Sequence, residues 1–145
     1  MWLVDLNVLL YAINVDSPEH ATARAWLDGA LSGEREVGFA ETVLLGFLRL
    51  ATNPAVFPVP LTTAEACSQL EAWLGASSAV RVRSGDDHIA RLCQCLEDAG
   101  TRGNRVSDAH LAALAMAHNA PVVSFDRDFA RFAGVALEVP PPPPA

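Results

Sequence analysis

Four acidic residues are spaced so that a folded sheet would bring their carboxylates together. Asp5, Glu41 and Asp126 each follow a short apolar run that is typical of a buried parallel strand. Asp108 instead opens an apolar-periodic helix. The carboxyl ends of parallel strands meet at one edge of an open α/β sheet, where ligands bind. Because crowded carboxylates repel each other, they need a cation or shifted pKa values. Mg²⁺ and Mn²⁺ prefer such oxygen ligands, so the sequence predicts a metal site.

Each of these acids also has an ordinary structural explanation. Asp5 is well placed to cap the next helix, and Asp108 to cap its own helix or to interact with the helix dipole. Glu41 at a helix start is electrostatically favourable without any role in chemistry. Either Asp126 or Asp128 can shape an Asx turn. Asp126 lies nearer the strand end and is the stronger candidate, with Asp128 peripheral.

Polar neighbours of the acids have supporting roles in this interpretation. Ser124 and Asn7 are expected to hydrogen-bond the carboxylates or the substrate, as groups around a metal site do. His110, two residues after Asp108, is expected to be structural and not a general base. The other histidines show no partner pattern and are expected at the surface: His20, His88 and His118.

Strands and helices alternate along the chain, which predicts an α/β domain with a mostly parallel sheet flanked by helices. We expect one domain over residues 1–139 and a disordered proline-rich tail over 140–145. Strands are predicted at 2–5, 37–40, 79–83 (edge-like), 121–126 and 135–139. Helices are predicted after Asp5, from Pro18, after Ala40, to about Leu74 with Thr62 or Thr63 as cap, over 86–99 with Ser84 as cap, and from 106 with Ser107 as cap.

The composition is that of one globular domain. The 145 residues are 51% hydrophobic and 19% charged, which argues against disorder. No apolar stretch reaches the ~18 residues of a membrane span, and no basic signal region opens the chain, so we predict a cytoplasmic protein. Three cysteines, at 67, 93 and 95, form neither a disulfide framework nor a full zinc ligand set.

The charge pattern excludes several classes of protein. A net charge of −7 argues against broad affinity for duplex DNA, although a small RNA site supplied with metal ions remains possible. All ten basic residues are arginine, which can grip phosphate through two nitrogens. Phosphoaspartate phosphatases of the haloacid dehalogenase type and receiver domains need a lysine, and none is present. No glycine-rich dinucleotide or phosphate loop occurs either.

Four segments, taken together, resemble a known family. "LVDLNVLLYA", "LLGFLRLATN", "GNRVSDAHLAALA" and "VVSFDRDFARF" occur in the order and at the spacing of PIN-domain ribonucleases. Within that family the chain is most similar to the VapC toxins of bacterial VapBC toxin–antitoxin pairs, particularly the mycobacterial kind. The similarity extends to about Val139.

The resemblance implies a PIN-like fold and a metal-dependent endoribonuclease that cuts tRNA or ribosomal RNA with Mg²⁺ or Mn²⁺. Asp5, Asp108 and Asp126 match three of the family's acids and are expected to be catalytic metal ligands. The family's fourth acid falls at about Gly46 here, and Glu41 is the available substitute as a fourth catalytic and metal-binding residue.

The resemblance also implies partners. A VapB-like antitoxin would cover the acidic pocket with a C-terminal segment, through an arginine, and the toxin would form a homodimer. The competing hypothesis belongs to a different class: a catalytically inactive PIN-like protein that only binds a partner. The missing acid at Gly46 is its main support.

Overall fold

The computed structural model describes residues 1–145 and is built around a five-stranded parallel sheet. The order across the sheet is β3-β2-β1-β4-β5, and each neighbouring pair runs parallel. The strands are β1 (Trp2–Val4), β2 (Val37–Ala40), β3 (Ala79–Val82), β4 (Val122–Val123) and β5 (Leu137–Glu138).

Six α-helices flank this sheet, and two short 3₁₀ turns occur at Gly103–Arg105 and Arg127–Arg131. The predicted α/β architecture is therefore confirmed. The helices are α1 (Leu6–Ile13), α2 (His20–Leu31), α3 (Glu41–Ala51), α4 (Thr63–Leu74), α5 (His88–Ala99) and α6 (Val106–Ala117).

Two of the predicted helix caps are wrong. Ser84 lies before α5, whose N-terminal residue Asp87 makes no side-chain cap bond. Ser107 lies inside α6, which begins directly after the preceding 3₁₀ turn. That turn already supplies helical backbone geometry, so the helix starts without a capping side chain. The cap predicted at Thr62 is confirmed, and Glu65 completes a reciprocal capping box there.

The hydrophobic core lies along the central strands. Both residues of β4 are fully buried, as are Leu3 and Val4 of β1. Strands buried on both faces favour the continuous apolar runs seen in the sequence. Alanines on α6 allow it to pack closely: Ala109, Ala112 and Ala113 are fully buried. The core thus fixes the backbone that carries the acids.

The topology creates a crevice beside β1. From β1 the chain proceeds to β2 and β3 on one side of the sheet, whereas β4 and β5 lie on the other side. Ligands bind outside the carboxyl ends of the strands at such a reversal of strand order. Asp5 directly follows β1, and Asp126 follows β4, so both emerge at this crevice.

No helix has both the length and the apolar character needed to cross a bilayer. Residues 141–145 are exposed and form no regular secondary structure. The disorder expected of the tail stays a prediction, as does the domain boundary at residue 139.

Substitution of Gly38 in β2 tests how tightly the sheet is packed. A Cβ at this position would lie 2.7 Å from Val82 Cγ2 and 3.1 Å from the carbonyl oxygen of Trp2. We expect Gly38→Ala to lower the free energy of unfolding by roughly 1–3 kcal/mol. Gly29 in α2 has no atom near that position. The matched Gly29→Ala should raise it by about 0.5–1 kcal/mol. Urea unfolding measures both, and equal effects would contradict the packing argument.

Candidate metal centre

Asp5 is held by two hydrogen bonds at the carboxyl end of β1. It is the N-cap of α1, and its Oδ1 accepts from the backbone N–H of Leu6 at 2.7 Å. Its Oδ2 accepts from the hydroxyl of Ser124 at 2.6 Å. The cap proposed from the sequence is therefore real. It orients the carboxylate without removing it from the crevice.

Ser124 joins the ends of β1 and β4 through a hydroxyl that donates one hydrogen bond and accepts two. Its hydroxyl is fully buried and accepts from Asn7 Nδ2 and from the backbone N–H of Asp126, each at 2.9 Å. Because both of those partners are donors, the single hydroxyl proton must point to Asp5. Asn7 Oδ1 accepts in turn from the backbone N–H of Phe125 at 3.2 Å. The hydrogen bond predicted from Ser124 to a carboxylate is thus confirmed. Asn7 bonds no carboxylate itself and acts on Asp5 only by holding the Ser124 hydroxyl.

The other two aspartates come from different elements. Asp108 lies in the first turn of α6, and 23% of its side chain is exposed. Asp126 shapes an Asx turn, since its Oδ1 accepts from the backbone N–H of Asp128 at 2.8 Å. Its Oδ2 remains directed away from that turn, towards Arg105. The Asx turn therefore uses Oδ1 of Asp126, and Oδ2 is the oxygen left for the candidate site.

Arg105 is a residue that sequence reasoning missed. Its Nη1 donates to Asp108 Oδ2 at 3.2 Å and to Asp126 Oδ2 at 3.4 Å, while Nη2 donates to Asp128. An arginine three residues before Asp108 was the only available signal, because (i, i+3) opposite charges meet on a helical turn. The contacts with the other two acids are long-range and leave no local pattern.

The electrostatics show that negative charge is in excess here. Burial raises the pKa of Asp5 to about 6, and the charges of Asp108 and Asp126 add to the rise. The hydrogen bonds from Ser124 and Leu6 act in the opposite direction and lower this pKa. Burial also raises the pKa of Asp108, partly opposed by Arg105. Carboxyls with elevated pKa values at a crevice mark a functional site, because a cation would favour their charged forms.

These three aspartates line one depression. Its wall also contains Asn7, Thr42, Gly46, Arg49, Ser107 and several aliphatic side chains. Gly46 is buried, and a Cβ there would lie 2.7 Å from Leu6 Cδ2. Position 46, where the resemblance led us to expect a fourth acid, therefore lines the depression but is closely packed against Leu6.

Glu41 is not brought together with the aspartates. It is exposed at the start of α3 and lines a neighbouring depression with Arg83, Ser84 and His110. The strand end does place it at the expected edge of the sheet, but one strand away from the crevice. Its predicted role as a metal ligand is not supported by this placement and stays a prediction.

The histidines include one correction. His88, expected at the surface, is buried, and its Nε2 lies 2.7 Å from His110 Nδ1. The packing of α5 against α6 buries His88 and leaves His110 partly exposed, which no local pattern indicates. His110 thus has a structural partner, as expected. All three cysteines are free.

The donor set fits a hard divalent cation. Carboxylate oxygens of Asp108 and Asp126 converge on one cationic nitrogen of Arg105. No three acidic, histidine or cysteine side chains are arranged to hold one ion directly. Mg²⁺ commonly binds through one or two carboxylates, with water completing its octahedron. Two converging oxygens with Asp5 beside them therefore match this kind of binding.

The raised pKa of Asp5 predicts a pH-dependent stability. Between about pH 4 and 6 the folded protein keeps a proton that the unfolded chain releases, so stability falls as pH rises. Asp5→Asn removes this loss. The unfolding free energy of the variant minus that of wild type should grow by about 2 kcal/mol between pH 4 and 7.5. Urea unfolding with EDTA present measures it, and a constant difference would contradict the assignment.

Comparisons with known proteins agree with this geometry. A sequence model of the PIN domain matches residues 2–135. Ribonuclease VapC37 of Mycobacterium tuberculosis is 51% identical over 141 residues, which are 97% of this chain and 98% of that protein. Ribonuclease VapC31 of the same species is 40% identical over 141 residues, covering 97% and 99%.

Solved structures share the fold. The structure of Mycobacterium tuberculosis VapC20, described as a toxin that cleaves the sarcin–ricin loop, gives a TM-score of 0.70 at 18% identity, covering 94% of this chain and 97% of that one. VapBC2 from Rickettsia felis, bound to a promoter DNA fragment, also gives 0.70 at 18% identity, covering 95% and 97%. On the sequence match over nearly its whole length, the chain belongs to the PIN domain family, among the VapC proteins.

Proposed function

We propose that this chain is a divalent-metal-dependent endoribonuclease and the toxin of a VapBC-type toxin–antitoxin pair. The observation that carries the proposal is the depression in which three distant segments place Asp5, Asp108 and Asp126. The relatives named ribonucleases support RNA as the substrate. We further propose tRNA or ribosomal RNA as its class. The cytoplasm is the compartment that this function requires.

Asp5, Asp108 and Asp126 would together hold Mg²⁺ or Mn²⁺, each either directly or through a coordinated water. When bound, such an ion lowers the pKa of a coordinated water and neutralises charge on the phosphate. Asp5 must be ionised to bind a cation, and the Ser124 hydroxyl favours that form by donating to Oδ2. Asn7 and the backbone N–H of Asp126 fix the serine in turn, so its proton cannot turn away.

The chain also supplies positive charge for the substrate. Arg49 of α3 lines the depression, and its side chain is the cationic group there that makes no ion pair with an acid. A guanidinium can donate two parallel hydrogen bonds to a phosphate. We assign Arg49 to orienting the RNA backbone, so that the scissile phosphate lies over the aspartates.

Glu41 lies outside this arrangement, and the proposed reaction does not need it as a ligand. The proposed reaction uses no histidine as a general base. The candidate for that role, His110, is instead hydrogen-bonded to His88. The competing hypothesis, a partner-binding protein without activity, keeps one supporting observation: Gly46 provides no carboxylate to the depression.

Cleavage assays distinguish these possibilities. Asp5→Asn and Asp126→Asn should each reduce cleavage by roughly 100-fold or more, since each removes a ligand of the group that activates water. Glu41→Gln is the matched carboxylate-to-amide control and should stay within about threefold of wild type. EDTA should abolish cleavage, and Mn²⁺ should restore it.

Labelled total tRNA and ribosomal RNA serve as substrates, and circular dichroism checks that each variant folds. Cleavage that survives exhaustive chelation would refute the metal mechanism. A loss in Glu41→Gln as large as in Asp126→Asn would instead establish Glu41 as the fourth catalytic acid.

The proposed partner is a small VapB-like antitoxin that covers the depression, with the toxin as a homodimer. Asp108 and Asp126 accept hydrogen bonds from the guanidinium of Arg105, so they can also accept hydrogen bonds from an arginine of the partner. Expression of the chain alone should arrest bacterial growth, and co-expression of the protein encoded beside it should restore growth. Asp126→Asn should not arrest growth. Equal toxicity of wild type and this variant would favour the partner-binding hypothesis.

A further inference from the structure

We propose that Arg105 is a built-in counter-cation that competes with the divalent metal for the acidic depression. It must leave the carboxylates of Asp108 and Asp126 before these can bind an ion. The inference rests on the metal site of the proposed function and adds a residue that controls how readily that site fills.

The contacts of Arg105 are with the oxygens that a metal would use. One nitrogen, Nη1, donates to Oδ2 of Asp108 in α6 and to Oδ2 of Asp126 in the loop after β4. The other nitrogen donates to Asp128, which does not line the depression. Guanidinium and metal ion would therefore compete for the same lone pairs.

Arg105 is distinctive among the arginines of this chain. The other ion pairs are surface contacts: Arg24 with Asp28, Arg91 with Asp87 and Arg35 with Glu138. Only Arg105 bridges acids from separate elements. Charge-assisted bonds to several carboxylates are stronger than single surface pairs, so their loss on metal binding has a measurable cost.

Arg105 neutralises the site only in part. Three carboxylates, those of Asp108, Asp126 and Asp128, contact one guanidinium, and the carboxylate of Asp5 lies in the same depression without a contact to Arg105. A divalent ion brings twice the charge and can bind closer to the oxygens than a guanidinium can. The arrangement therefore favours replacement of Arg105 once the metal concentration is high enough.

Displacement of Arg105 needs little rearrangement. One third of its side chain is exposed, so the released guanidinium can enter water without crossing the core. Asp128 is the most exposed of the three acids and does not line the depression, so its contact with Arg105 can persist while Asp108 and Asp126 are released. Metal binding and Arg105 release are thus two sides of one equilibrium.

The test measures Mn²⁺ affinity of the full-length protein, from the electron paramagnetic resonance signal of free Mn²⁺. Arg105→Ala should bind Mn²⁺ about fivefold to tenfold more tightly than wild type, because the competing cation is gone. Arg105→Gln, which keeps most of the side-chain length, should do the same. Arg102→Ala is the matched control: it removes the same charge from an exposed side chain without an ion pair. It should change the affinity less than twofold.

Each outcome is decisive. Equal Mn²⁺ affinity of wild type and Arg105→Ala would overturn this inference alone and leave the metal site intact. Weaker binding by Arg105→Ala would overturn it too, since Arg105 would then be supporting the ligands. Failure of every protein to bind Mn²⁺ would overturn both the inference and the proposed metal chemistry. A purely structural role of Arg105 would lower thermal stability without tightening Mn²⁺ binding.

Discussion

Burial of neighbouring carboxylates at the end of the sheet is the constraint on which the rest of the site depends. Burial of Asp5 is the main cause of its raised pKa, and the charges of Asp108 and Asp126 add to the rise because water screens them poorly there. The fold meets this constraint with directed donors. Ser124 and the Leu6 backbone serve Asp5, while Arg105 serves the other two. The proposed metal site is thus held together by several hydrogen-bond donors, of which Arg105 is itself a cation.

Such an arrangement requires a rigid scaffold. Asp5 follows directly on the fully buried end of β1, Asp126 lies three residues after the fully buried β4, and Ser124 ties the two strand ends together. Close packing of the alanine-rich α6 brings Asp108 to the same crevice. Precise placement on buried strands and a buried helix limits how far the carboxylates can move apart to relieve their repulsion.

Sequence reasoning predicted what depends on local pattern. The bounds of β2 and the cap at Thr62 follow from apolar runs and cap residues, and both are as expected. The three aspartates follow from strand ends and a helix start. Arg105 was missed because its two longer-range partners, Asp126 and Asp128, are brought near only by folding.

The remaining differences have the same physical origin. Glu41 was placed at the right edge of the sheet, but the sequence does not show that the strand order puts it beside Arg83 and not beside Asp5. His88 looked like a surface residue because its burial depends on α5 meeting α6. The predicted serine caps were wrong because α5 begins after Asp87 and α6 begins directly after a 3₁₀ turn.

The contact between Gly46 and Leu6 links two positions that are forty residues apart. Any side chain at 46 would begin 2.7 Å from Leu6 Cδ2, the end of a flexible side chain that lines the same depression. A carboxylate can therefore return to position 46 only together with a shifted or smaller side chain at position 6. The size of the side chain at position 46 is therefore coupled to the conformation or the size of the side chain at position 6.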